Sequence, residues 1–310
     1  MDEIIIAKPF VKWVGGKSQL LEDIKNNLPK DFHKIENLTY IEPFVGGGAV
    51  LFWILQEFKN IKKAIINDIN PSLTNTYKII KNSPSELITE LKIIQKEFIQ
   101  LNDELRKDYY LEKRTLFNTN SNTNIQNAAL FIFLNRTCFN GLYRVNSKGL
   151  FNVPFGKYHN PKICDEQTIY SDSNLLQKVE ILTGDFSNTL NYATGNCFFY
   201  FDPPYKPISK SSNFKSYSKE DFNDAEQIRL KDFCNTISEL GYSFILSNSD
   251  LKYTNPDNNF FEELYSSYKI NRVYASRMIN SDASKRGKLS ELMISNVSLS
   301  SNTTSSFYNQ

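Results

Sequence analysis

Apolar positions along this chain come in two spacings. Short unbroken runs alternate with longer stretches in which Leu, Ile and Phe recur every three or four residues among charged ones. The first spacing marks buried strands, the second amphipathic helices. "YIEPFVGGGAVLFWIL" (40–55) reads as a short strand, a glycine turn and an apolar helix, and "KKAIINDINP" (62–71) as a second strand ending at Asp68. The stretch 84–118 has helical spacing throughout and predicts one long helix; "TNSNTN" (119–124) breaks it, and 125–139 is a further, largely buried helix. Two turn signals, Asn140-Gly141 and Lys148-Gly149, make 140–162 an irregular hairpin. Further strands are expected at 179–186, at Phe198–Phe201, after Gly241 within 237–250, and at 289–296. Strands alternating with helices predict an α/β fold with a mostly parallel sheet. Residues 72–170 lack that alternation and read as an insertion, while the Ser/Thr/Asn-rich tail 298–310 predicts disorder.

Composition narrows the class. The 310 residues hold 36 Lys plus Arg against 34 Asp plus Glu, a net charge of +2, which excludes a uniformly basic surface but leaves a local basic face open. The 40% hydrophobic content suffices for a sizeable core. Cys138, Cys164, Cys197 and Cys234 show no CxxC spacing, and with only His33 and His159 beside them no metal site is expected. They read as reduced thiols of a cytoplasmic protein. The N-terminus lacks a signal-peptide run, and no segment reaches the ~20 apolar residues of a membrane span.

Three short stretches carry candidate chemistry. The run Phe198–Phe201 ends in Asp202-Pro203-Pro204-Tyr205, and the two prolines terminate the strand because neither donates a ladder hydrogen bond. A carboxylate, a bare carbonyl and an aromatic ring are thereby fixed on a stiff corner; a loop with a capping Asp is the plainer reading. "FVGGGAV" follows a strand and opens a helix, and Asp68 lies about 20 residues on, the reach of an acid that binds a ribose hydroxyl. A tight turn and a helix-capping Asp68 would give the same pattern. In "FVKWVGGKSQLL" (10–21) position 11 is Val rather than the glycine of a phosphate-binding loop. The pair Gly15-Gly16 instead opens a helix near Lys17, a place suited to a carboxylate, and Trp13 offers a flat face.

In order, "PFVKWVGGK", "EPFVGGGAVLF", "NDIN", a basic insertion, "GDF" and "DPPY" resemble the Dam-type DNA adenine-N6 methyltransferases of the alpha class. "NGLYRVNSKGLFNVPFGKY" looks especially like the DpnII-type modification enzymes, which methylate GATC; the resemblance spans roughly residues 8–296. It implies a Rossmann-like catalytic domain, helices on both sheet faces, built from 1–71 and 171–297, with a mainly helical target-recognition domain inserted at 72–170. It implies S-adenosylmethionine as cofactor, held by Trp13, Gly15, Lys17, Glu42, Phe44, Gly46, Asp68, Asp185, Phe186 and Asp202. Catalysis falls to Asp202, Pro203, Pro204 and Tyr205. Double-stranded DNA is the partner, and a cognate restriction endonuclease would act alongside without stable binding.

The residue types suit that chemistry. The lone pair of adenine N6 is delocalised into the ring, and a carboxylate and a carbonyl accepting its two N–H bonds would localise it. The base must leave the helix stack to be reached, and Tyr205 supplies a face to receive it, with Phe214 expected opposite. Arg136, Arg144 and Lys148 are interleaved with Phe139, Leu142 and Tyr143, and arginine suits guanine O6 and N7. The resemblance adds Lys12 and Arg144 at guanines and Phe139 and Asn140 at the gap left by the base, and Asn146 is included in the DNA-contacting set. Lys157, Lys285, Arg286 and Lys288 are expected at phosphates, with solvated charge the alternative. An RNA N-methyltransferase would share the cofactor half, and a DNA-binding regulator without catalysis would share the insertion; the hairpin argues against the first and intact Asp202, Tyr205 and Asp68 against the second.

Overall fold

The computed structural model describes residues 6–119, 121–206, 222–276 and 288–297. Its centre is a seven-stranded sheet: β1 (Leu38–Glu42), β2 (Ile61–Asp68), β3 (Val179–Thr183), β4 (Cys197–Phe201), β5 (Ser243–Ser249), β6 (Lys269–Ser276) and β7 (Lys288–Ser295). The spatial order is β3-β2-β1-β4-β5-β7-β6. The first five strands pair in parallel, and β7 runs antiparallel between β5 and β6. This is the expected mostly parallel, Rossmann-like sheet.

The unbroken apolar runs have a simple cause. Successive strand side chains point to opposite faces, and both faces are covered. Phe198 and Tyr200 join one apolar cluster with Tyr40 and Ile66, while Phe199 and Phe201 join another with Ile41 and Ile65. On the first face lie α2 (Ala49–Glu57), α3 (Pro71–Asn82) and α7 (Glu166–Leu176); on the second lies α8 (Asp224–Glu239). The first cluster continues without a break into α4 (Pro84–Ile99), α5 (Asp103–Phe117) and the buried α6 (Asn124–Thr137).

Four local expectations are corrected. The single helix over 84–118 is two, α4 and α5, because Asn102 accepts from the Leu105 amide and so caps a fresh start. The first helix, α1 (Leu21–Asn27), begins four residues beyond Lys17, and the glycine stretch before it is a turn. The strand expected at 179–186 stops at Thr183, where Gly184 turns with φ +130°. Strand β6 was not anticipated. The hairpin over 140–162 reduces to two isolated antiparallel bridges, Cys138 with Phe155 and Val145 with Phe151. Phe214, Lys285, Arg286 and the tail 298–310 lie outside the described residues, as does the Lys288 side chain. No described helix is long and apolar enough to cross a membrane.

Candidate active site at the strand ends

The order in which strands are added reverses between the parallel neighbours β1 and β4, and such a switch point leaves a crevice beyond the carboxyl ends of the strands. The β1–α2 turn forms one wall. Gly46 there has φ +49°, and a Cβ on it would come within 2.8 Å of the Trp13 indole. Its amide donates to Asp68 (3.1 Å), and its carbonyl accepts from the Tyr77 hydroxyl (3.0 Å). Asp68 also accepts from the Asn70 amide at 2.9 Å, while Asn70 itself caps α3. The acid thus braces the glycine turn, and the helix cap is its neighbour. Burial raises the Asp68 pKa, opposed by those two amide hydrogen bonds.

The Asp202–Tyr205 corner forms the opposite wall. Lys17, 3% exposed, places its ammonium 3.0 Å from Asp202 and 3.5 Å from Glu291 of β7, and 4.4 Å above the Tyr205 ring centre. It also donates to the Gly15 carbonyl (3.1 Å). Tyr205 donates to Glu291 at 2.6 Å. The corner is tethered from behind: buried Gln227 of α8 donates to the Pro204 carbonyl (3.3 Å) and accepts from buried Asn248 (3.0 Å), and Ser249 donates to the Lys206 carbonyl (3.1 Å). Burial pushes Asp202 up to about 6 against the pull of Lys17, although 21% of its side chain remains exposed. Glu42 is buried on the Tyr40 hydroxyl (2.8 Å), and burial raises its pKa well above the usual carboxylate range.

Asp185 and Phe186 follow β3 at the far end of the crevice. Asp185 caps the turn through Ser187 and forms a two-pronged pair with Arg229 of α8 (3.0 and 2.7 Å), whose guanidinium lies 4.1 Å over the Phe186 ring. The Arg229 pair pulls Asp185 down to about 2. Phe44 packs against Phe186 with ring centres 5.2 Å apart.

The end of α6 and the loop after it lie beside Lys12 and Trp13. Asn135 of α6 accepts from the Lys12 amide (2.8 Å) and donates to the carbonyls of Lys12 and Gly141 (2.8 and 3.0 Å). The single helical turn Phe139–Gly141 is thereby fixed beside the N-terminal segment. Gly141 has φ +63°, and a Cβ there would strike the Lys12 side chain. Phe139 and Asn140 are exposed, and Leu142 is half-buried against the core. Arg144 is exposed and crosses to the Asn152 side chain (2.8 Å); Lys148 is exposed at the tip, and Asn146 accepts from the amides of Lys148 and Leu150, which closes that tip. Lys157 is exposed with φ +54°. Arg136 is placed differently: its half-buried guanidinium donates to the Phe10 carbonyl (2.8 Å), anchoring the N-terminal segment, and burial lowers its pKa.

Sequence reading missed Glu291, Gln227 and Arg229; it named Tyr143 among the residues of the reading loop but not the stacking of its ring on Trp13 at 5.8 Å. The only advance signal for Glu291 was a single charge inside the apolar run "LSELMISN". Among the described residues no group of three or more His, Cys, Asp or Glu could hold a metal ion.

Comparison with known proteins bears on this crevice. A family model described as D12 class N6 adenine-specific DNA methyltransferase matches residues 13–279. The chain is 50% identical over 293 residues to a type II methyltransferase, M.MjaIII, of Methanocaldococcus jannaschii, covering 94% of this chain and 99% of that one. It is 38% identical over 297 residues to the type II methyltransferase M1.LlaDCHI of Lactococcus lactis, 94% and 96% covered. It is 35% identical over 287 residues to a DNA adenine methylase of Haemophilus influenzae, with 92% of each covered.

Proposed function

Because the chain belongs to the D12 class of N6 adenine-specific DNA methyltransferases, we propose that it methylates adenine at GATC in duplex DNA, with the base turned out of the helix and S-adenosylmethionine as methyl donor. It serves as the cytoplasmic modification partner of a restriction endonuclease that it does not stably bind. The observation that carries this reading is the ammonium of Lys17 held between Asp202, Glu291 and the face of Tyr205. A site that holds a desolvated cation against a carboxylate and an aromatic face is complementary to an amine gaining positive charge.

The residues fit the cofactor. Acids at the strand ends favour a cationic ligand, Asp68 stands at the second strand as a ribose-binding acid would, and Gly15 has open space where a side chain would project. S-adenosylmethionine, when bound, supplies an electrophilic methyl on a sulfonium; Trp13, Lys17, Phe44, Gly46, Asp68, Asp185 and Phe186 would hold it. Asp202 and the Pro203 carbonyl accept the two N–H bonds of the target amine and localise its lone pair. The Pro-Pro corner, tethered by Gln227 at the next carbonyl, that of Pro204, keeps the Pro203 carbonyl aimed, so much of the gain is positioning. A carboxylate with a pKa of about 6 is too weak to ionise a neutral amine but takes a proton readily from a methylated, cationic one. Proton loss to Asp202 therefore accompanies or follows transfer. Tyr205 receives the base once Lys17 leaves its face.

The insertion at 72–170 reads the sequence, with Lys12, Phe139, Asn140 and Arg144 nearest the crevice and Lys148 at the loop tip. The relatives named DNA adenine methylase and type II methyltransferase support adenine specificity and the modification role. The decisive experiment methylates random-sequence DNA and reads every modified position; marks confined to adenine in GATC are expected, and any other consensus ends the GATC assignment. Asp202→Ala in the same assay should lose about 10²–10⁴-fold in turnover with cofactor affinity held within about tenfold. Retention of more than about a tenth of turnover would remove Asp202 from the chemistry.

A further inference from the structure

We propose that Glu291 is a positioning residue for methyl transfer: from the antiparallel strand β7 it fixes the Tyr205 ring and divides the Lys17 ammonium with Asp202. This rests on the reading that Asp202 and Tyr205 act on the target adenine. Tyr205 hangs from a proline corner by its own backbone; its hydroxyl donates to Glu291 at 2.6 Å, with Asp202 its second carboxylate neighbour. Glu291 is 12% exposed and lies in β7 between buried Ser290 and buried Leu292. A charge so placed is costly unless partnered, and both partners belong to the crevice. Its backbone register, opposite Ser249 of β5, sets it beside the tether from Ser249 to Lys206. Glu291 therefore orients the ring that is to receive the base, and it competes with Asp202 for Lys17.

The second effect gives a signature that simple structural support lacks. The groups facing Asp202 are Lys17 from the segment before α1, Glu291 from β7, Tyr205 from its own loop, Tyr200 from β4, and Tyr40 and Glu42 from β1. Lys17 lowers the Asp202 pKa and Glu291 raises it, and burial raises the Glu42 pKa well above the usual carboxylate range. Removing the Glu291 charge takes away a like charge and leaves Lys17 to Asp202 alone. Both changes move Asp202 ionisation to lower pH.

The test measures kcat, KM for DNA and the pH profile of kcat/KM for wild type, Glu291→Gln, Glu291→Ala, Tyr205→Phe and the double variant Glu291→Ala/Tyr205→Phe. Glu291→Ala is expected to lose about 10–100-fold in kcat, the scale of a misplaced reacting group, with KM within about threefold. Glu291→Gln still accepts from the Tyr205 hydroxyl, so it should recover most of kcat while its acid limb moves to lower pH. The double variant should lose no more than Glu291→Ala together with a small increment, because both changes break one contact. A Glu291→Gln enzyme with an unmoved acid limb, or a Glu291→Ala enzyme with wild-type kcat, overturns the proposal; the first readout survives even if the alanine variant does not fold. Asp202→Ala run in parallel separates the two levels. If it stays active, the reading of the corner fails; if it is inactive while the Glu291 variants match wild type, only this inference falls.

Discussion

Asp202 and Asp68 are both desolvated acids at strand ends, yet their partners assign them different work. Asp202 faces an ammonium and a second carboxylate in a partly open site, with a pKa raised to about 6. The form that accepts N–H bonds is the carboxylate, so kcat/KM, which reports the free enzyme, should fall about tenfold per pH unit below that value. A limb centred near the ordinary aspartate value of about 4 would mean that the pull of Lys17 fully offsets the burial of the carboxylate. Asp68 spends its oxygens on two amides and bridges the glycine turn to the start of α3. Calorimetry of S-adenosylmethionine binding should show Asp68→Ala losing about 1.5–3 kcal/mol, the range for a hydrogen bond to a charged group. An unchanged dissociation constant would leave Asp68 as a brace of the turn alone.

Elements here are tied to one another by buried polar side chains whose roles the sequence pattern does not announce. Asp172 of α7 is fully buried, accepts from the Lys8 amide at 3.0 Å and has its other oxygen unpartnered among the described residues. Burial pushes it up to about 8. Since the folded value lies above the unfolded one, its contribution to stability is full below about pH 4 and is lost as pH rises through about 8. Asp172→Asn keeps the acceptor and removes the ionisation. Its unfolding free energy should therefore exceed that of wild type by a margin that grows between those limits, by at most about 1.4 kcal/mol per pH unit, and then levels off, with the melting temperature following. Thermal scans across pH check this, and a margin independent of pH would show that Asp172 does not titrate in the folded state. The helix over 84–118 failed as one element for a related reason: its apolar spacing persists through the break, and only the cap by Asn102 and the turn before it separate α4 from α5.

At the scale of the whole molecule, one apolar cluster runs from the sheet through α3 into α4 and α6, so these helices are packed as one body with that face of the sheet. The contacts of Asn135 with Lys12 and Gly141 and the stacking of Tyr143 on Trp13 join the candidate DNA-reading loop to the candidate cofactor wall. Arg144 projects from that loop, exposed and braced by Asn152. If it pairs with a guanine edge, Arg144→Ala should cost about 1–3 kcal/mol of discrimination at one base position. The assay is kcat/KM on GATC and its single-base variants at two salt concentrations. Activity lost equally on all sites would mean that Arg144 only holds the backbone.

Hydrophobic runs, proline and glycine punctuation and the order of motifs determined the α/β class, the parallel strands and the residues at the strand ends, because these follow from local periodicity and from what a backbone position tolerates. The seven-strand order, the antiparallel return of β7 and the meeting of Lys17, Asp202, Tyr205 and Glu291 were decided by tertiary structure. Glu291 stands 86 residues from Tyr205 on a strand that no crossover rule would place beside β5. Its charge takes on meaning only where packing removes water and leaves two partners within reach. The same holds for Arg136, whose sequence neighbours suggested a groove but whose guanidinium is taken up by a carbonyl 126 residues away.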